Sequence, residues 1–167
     1  VNELTKEKHI AYTIDGWCVE LHGNLPSRLF SSVENFIAEL ERDIFYGGDV
    51  RSWHNGKTTV FLPSANGDVI FVFTHILQHF FRGGIGLRQI CDWCRLLWTY
   101  KDSINHGLLE SRIRKMGVMT EWKAFAALAV DYLGMPVEAM PLYSADGEWS
   151  RKANKILGFV LETGNFG

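Results

Sequence analysis

The chain has 167 residues, is 47% hydrophobic and 22% charged, and carries a formal net charge of −2 with a pI near 6.3. That length supports one domain with a substantial core, and an ordinary charge content argues against general disorder. A near-neutral balance leaves no electrostatic footprint for a dedicated nucleic-acid surface, and no run of 18 apolar residues is present to span a membrane.

The N-terminus, 1-VNELTKEKHI-10, is charged, has no apolar signal core and begins without Met, so the piece is expected to come from something longer. Residues 9-HIAYTI-14 and 17-WCVELH-22 flank Asp15-Gly16, the two-residue signal of a type I′ hairpin. This turn sets Ile14 opposite Trp17, Tyr12 opposite Val19 and Ile10 opposite Leu21. That row is wholly apolar and is expected to be buried. The opposite row carries His9, Ala11, Thr13, Cys18, Glu20 and His22 and looks toward water or a ligand. A two-stranded ribbon is marginal alone, so it is expected to belong to a larger sheet.

Helices dominate the remainder. Ser31-Ser32-Val33-Glu34 reads as a capping box, followed by an apolar stripe at Phe36, Ile37, Leu40 and Ile44 that ends near Gly47-Gly48. Residues 49–64 read as a connector with a short strand or hairpin at Asn55-Gly56. Asp68 is placed to cap a second helix over 69–81, apolar nearly all round and therefore buried, with Gly83-Gly84 at its end. A third helix starts near Leu87, a fourth covers 105–117, and Thr120 caps a fifth over 121–133 that stops at Gly134. Pro136 and Pro141 bracket a loop, and a last helix runs over roughly 149–162. With no internal repeat and no low-complexity linker, residues 1–167 read as one unit: a hairpin segment over 1–30 and a helical part over 31–167. The class is α+β, mostly helical, with the hairpin packed on about five or six helices. An aromatic content of 13%, with six Trp, points to a heavily packed interior.

Three groups of residues could carry chemistry. Glu20 and His22 share a strand face, either as a solvated polar row or as one wall of a metal site. A lone carboxylate holds magnesium poorly, because that ion wants one or two carboxylates plus substrate phosphates. His75 and His79, at i and i+4, share a helix face that could take a metal or an anion. The motif is H-I-L-Q-H and lacks the glutamate of H-E-x-x-H, so buried, hydrogen-bonded imidazoles are expected instead. In 82-RGGIGLRQICDW-93 a glycine-rich turn enters a helix, where free N–H groups could meet phosphate and Arg82 and Arg88 could supply charge. The pattern matches neither dinucleotide nor P-loop fingerprints, and a tight helix corner with Arg88 paired to Asp92 competes with it. Cys91 and Cys94 form C-D-W-C on a helix, where packed, reduced thiols are expected rather than a zinc or redox site. That expectation carries with it a cytoplasmic setting.

The order of V-E-L-H, H-I-L-Q-H-F-F and G-I-G-L-R-Q-I-C-D-W resembles the uncharacterised nucleotidyltransferase family of the DNA polymerase beta-like superfamily. The terminal 163-TGNFG-167 is similar to a later stretch of that family, so the resemblance runs from about His9 to Gly167. It implies that the hairpin is a remnant of a nucleotidyltransferase sheet and that Glu20 is the third metal-binding carboxylate. His22, Arg82, Arg88 and Asp92 would then be substrate-facing, the last two in a helical half that frames the pocket. It also implies magnesium, a nucleoside triphosphate and an unknown acceptor; the histidine and cysteine motifs, each short of ligands, lead to the separate expectation of no stoichiometric zinc. The family's upstream Gly-Ser turn and Asp-x-Asp strand have no counterpart before Glu20. Two-metal chemistry clamps attacking and leaving oxygens between ions about 3.5–4 Å apart, and one carboxylate cannot hold both. This chain alone is therefore expected to be inactive, as the C-terminal part of an enzyme. A non-catalytic helical binding module, or a degenerate relative, is the alternative from a different class. A metal hydrolase built on His75 and His79 would need a third ligand that the sequence does not nominate.

Overall fold

The computed structural model describes residues 9–22 and 29–163, with side chains for 11–19 and 29–163. Two hairpins and six α-helices follow one another in chain order. Strands β1 (His9–Ile14) and β2 (Trp17–His22) come first, then α1 (Ser31–Phe45), then β3 (Val50–Asn55) and β4 (Thr58–Pro63). The helices α2 (Ala65–Phe80), α3 (Leu87–Tyr100), α4 (His106–Met116), α5 (Met119–Leu133) and α6 (Gly147–Thr163) complete the order, with a 3₁₀ turn at Val137–Ala139 before α6. The molecule is α+β and mostly helical, as the sequence predicts.

The first hairpin has the expected register, from His9 opposite His22 to Ile14 opposite Trp17. Asp15 and Gly16 take φ of 51° and 82°, the paired positive values of a type I′ turn. The described part of its apolar row is not buried, contrary to expectation: Tyr12, Ile14, Trp17 and Val19 are 46%, 56%, 77% and 36% exposed, while the side chains of Ile10 and Leu21 lie outside the described residues. The physical reason is topological. Among the described residues β1 and β2 pair only with each other, so no wider sheet extends the ribbon, and its side chains from Ala11 to Val19 stay in water. The second hairpin closes with Asn55 opposite Thr58, so its two turn residues are Gly56 and Lys57, one position later than the Asn55-Gly56 signal places them. Only Gly56 takes positive φ there, the pattern of a II′ turn.

The core lies among the helices. Val33, Phe36, Ile37 and Leu40 of α1 fill one side, and Val69, Ile70, Phe73, Ile76 and Leu77 of α2 run through the centre. Ile90, Trp93 and Leu97 of α3 and Trp122 and Phe125 of α5 close around them. Four alanines of α5, Ala124, Ala126, Ala127 and Ala129, are buried, and their small side chains let α6 come close through Ala153 and Val160.

The caps differ from those expected. α1 starts after Phe30, and Glu34 reaches back to accept the N–H of Leu29 at 3.2 Å, while the Ser32 hydroxyl donates to the carbonyl of Met116 at 2.9 Å. The box is thus spent half on tertiary contact. α2 begins at Ala65 because the Ser64 hydroxyl accepts the N–H of Gly67 at 3.1 Å, which leaves Asp68 in the first turn for another role. α5 begins at Met119, so Thr120 lies inside the helix.

Candidate functional site

The turn between α2 and α3 is the most tightly specified corner of the fold. The carbonyl of His79 accepts the N–H groups of Arg82, Gly83 and Gly84, each at 3.1 Å, which folds the chain back at once. Gly84 is irreplaceable there on two counts: its φ is +106°, and an added Cβ would lie 2.5 Å from the Thr163 hydroxyl at the end of α6. α3 then opens at Leu87 after Gly86, whose position offers no side-chain cap. The glycine-rich segment is therefore a helix corner, as one of its two readings holds, with Arg82 and Arg88 both exposed beside it.

The expected Arg88–Asp92 ion pair does not form among the described residues; both side chains are exposed. Exposed pairs gain little in water against the entropy of holding two long side chains. Other arginines are committed elsewhere. Arg51 donates to the Asp68 carboxylate and the Tyr100 hydroxyl, and its Nε donates to the Pro63 carbonyl at 3.0 Å. Its guanidinium also lies 4.4 Å from the centroid of the Tyr100 ring. This clasp ties the second hairpin to α2 and α3, and Asp68 serves it rather than a helix cap. Arg112 pairs with Asp49 at 3.2 Å from a mostly buried position. Neither contact was legible in the sequence, since their partners lie 49 and 63 positions away.

His75 and His79 come together, but not as buried groups. Both are exposed on α2, and their Nε2 atoms approach to 3.1 Å. The rings meet edge to face, with centroids 4.5 Å apart. α2 is less uniformly buried than its composition implies, because the turns that carry these histidines face out between buried Thr74, Ile76, Leu77 and Gln78.

The backbone of Glu20 pairs with Ala11 and that of His22 with His9. The side chains of both lie outside the described residues, as do residues 164–167. On the paired row, Ala11, Thr13 and Cys18 are exposed.

Cys91 and Cys94 line a mostly apolar cavity of about 320 Å³ with Arg95, Trp98, Leu133, Gly134, Met135 and Pro136. Both thiols are free, Cys91 exposed and Cys94 half-buried, so only Cys94 fits the expectation of a packed thiol. Burial, with Cys91 close by, pushes the Cys94 thiol up to about 12. It therefore stays protonated at neutral pH and is a poor nucleophile. Iodoacetamide at pH 8 should label Cys18 and Cys91 well before Cys94, as peptide mass mapping would show. Equal labelling of all three would mean that the helix does not shield Cys94.

A family model described as an uncharacterised nucleotidyltransferase matches residues 2–134, most of the chain. The matched span ends at the left-handed glycine that closes α5, so 163-TGNFG-167 lies beyond it. No curated protein and no solved structure matches the chain.

Proposed function

Because the chain belongs to the uncharacterised nucleotidyltransferase family, we propose that it serves the transfer of a nucleoside monophosphate from a nucleoside triphosphate to an acceptor. In such a transfer an acceptor atom bonds to the α-phosphorus and pyrophosphate leaves. The observation that carries the reading beyond the family is the α2–α3 corner. There Arg82 and Arg88 stand exposed and without an ion pair among the described residues, beside the uncapped start of α3. Such guanidinium groups are available for charge-assisted bonds to phosphate oxygens. Asp92, one turn on from Arg88, and His22 would accept or donate hydrogen bonds to the rest of the substrate.

Magnesium would be held in part by Glu20. Among the described residues no three His, Cys, Asp or Glu gather as metal ligands, and the sequence contains no Asp-x-Asp. On this reading a two-ion site needs carboxylates besides Glu20, and the 167-residue chain alone should not transfer nucleotide. Among the described residues no helix is long and apolar enough to cross a membrane. A cytoplasmic place of action is part of the proposal. The other reading, a non-catalytic interaction module, draws on the aromatic side chains left in solvent at Trp17, Phe45, Tyr46, Trp53 and Phe61.

The test is transfer of labelled nucleotide by a form of the protein that is active. Replacing Arg82 and Arg88 together by alanine should raise KM for the triphosphate on the order of tenfold, the loss of about 1.4 kcal/mol from charge-assisted bonds. An unchanged KM would remove the corner from the substrate site.

A further inference from the structure

We propose that His75 and His79 form a two-imidazole chelate for a late first-row divalent cation, zinc above all, on the exposed side of α2. Residues at i and i+4 lie one above the other on a helix, which brings the two rings together. Here their Nε2 atoms are 3.1 Å apart. With zinc–nitrogen bonds of about 2.0–2.1 Å, that separation subtends roughly 95–102° at the ion, between the angles of octahedral and tetrahedral coordination.

Three features of the fold favour the ion. The backbone that carries the rings is fixed, because Phe73, Thr74, Ile76, Leu77 and Gln78 on the same turns are buried, so little ordering is needed on binding. His79 lies in the last turn of α2, where the helix dipole favours positive charge. Both rings are exposed, which gives the ion an entry path. One ring now donates Nε2–H to the other. The ion would replace that hydrogen bond, with both Nε2 atoms turned to it.

The donor set also selects the ion. Imidazole suits zinc, copper and nickel, whereas magnesium prefers oxygen ligands, so this chelate is chemically distinct from a carboxylate site at Glu20. Among the described residues no third ligand completes it. Two imidazoles alone hold such an ion weakly, so it is not expected to survive purification.

Protein stripped with chelator should therefore carry well under one zinc per chain. Added zinc or nickel in excess should raise its Tm by about 2–4 °C. Titration calorimetry should give about one ion per chain. Magnesium at the same concentration should leave Tm unchanged. The shift should vanish in His75→Ala and in His79→Gln, the second chosen as a milder change should the first fail to fold. It should persist in the Cys91→Ser/Cys94→Ser double variant. No shift in the wild type, a shift retained in both histidine variants, or one lost only in the cysteine variant would overturn the assignment. Since the readout is binding rather than transfer, the outcome does not depend on the nucleotidyltransferase reading.

Discussion

Glu20→Ala, made in a form of the protein that transfers nucleotide, should reduce transfer on the order of a hundredfold or more while leaving the melting temperature unchanged. The two halves of that expectation have separate causes. On the proposed function Glu20 is one of the carboxylates that hold magnesium, and removing preorganised charge from a phosphoryl-transfer centre costs on the order of 10²–10³ in rate. Stability, in contrast, should move by no more than about 0.5 kcal/mol, as for surface changes generally. The ribbon next to Glu20 is exposed on both faces from Ala11 to Val19, so little packing is at stake in the described part of it. The measurement is a pair of assays on wild type and variant: thermal melting and transfer of labelled nucleotide. A variant that melts normally and transfers at the wild-type rate would place Glu20 outside the active site. Loss of activity with loss of folding would show that the ribbon is packed in the active protein.

Phe73→Ala should be the most damaging single truncation of the helical body, costing about 3–5 kcal/mol. The ring is fully buried and sits at the meeting point of three others. Its centroid lies 5.3 Å from that of Trp93, 4.8 Å from Trp122 and 5.9 Å from Phe125, on two different helices. Trp93 and Trp122 also meet each other, at 5.0 Å, so neither can swing into the vacated space without breaking its own contact. Trp122 is further held by its indole N–H, which donates to the Pro141 carbonyl at 2.8 Å. The cavity should therefore persist rather than collapse. Against a total stability of about 5–15 kcal/mol, the loss should lower Tm on the order of 10 °C. Phe73→Leu, which keeps most of the volume, should cost about 1 kcal/mol. Urea unfolding would measure both, and a Phe73→Ala cost below 1 kcal/mol would mean that the aromatic cluster is not where the helices are locked together.

Local chemistry was enough to determine the first hairpin turn, the glycine helix ends and the helical periodicity. Asp15-Gly16 dictated the first turn and its register, because few residues other than Gly, Asn and Asp accept positive φ at both central positions. Gly117 and Gly134 closed α4 and α5 with φ of 74° and 73°, for the same reason. The stripe of α1 and the apolar run of α2 marked the core, since apolar spacing shows which face can be buried and here neighbouring helices cover it. The order of short motifs also sufficed to reach the family.

Other features depended on partners far along the chain. That Asp68 pairs with Arg51, while Ser64 caps α2, depended on Tyr100 and Pro63 as well, whose groups meet Arg51 only once the second hairpin docks on α2 and α3. The apolar row of Tyr12, Ile14, Trp17 and Val19 read as buried because alternation reports what a face could cover, whereas exposure depends on whether anything arrives to cover it. The histidines of α2 followed the same logic in reverse. Composition placed them in an apolar helix, and only the packing of α2 against its neighbours left that one face in water with its two imidazoles 3.1 Å apart.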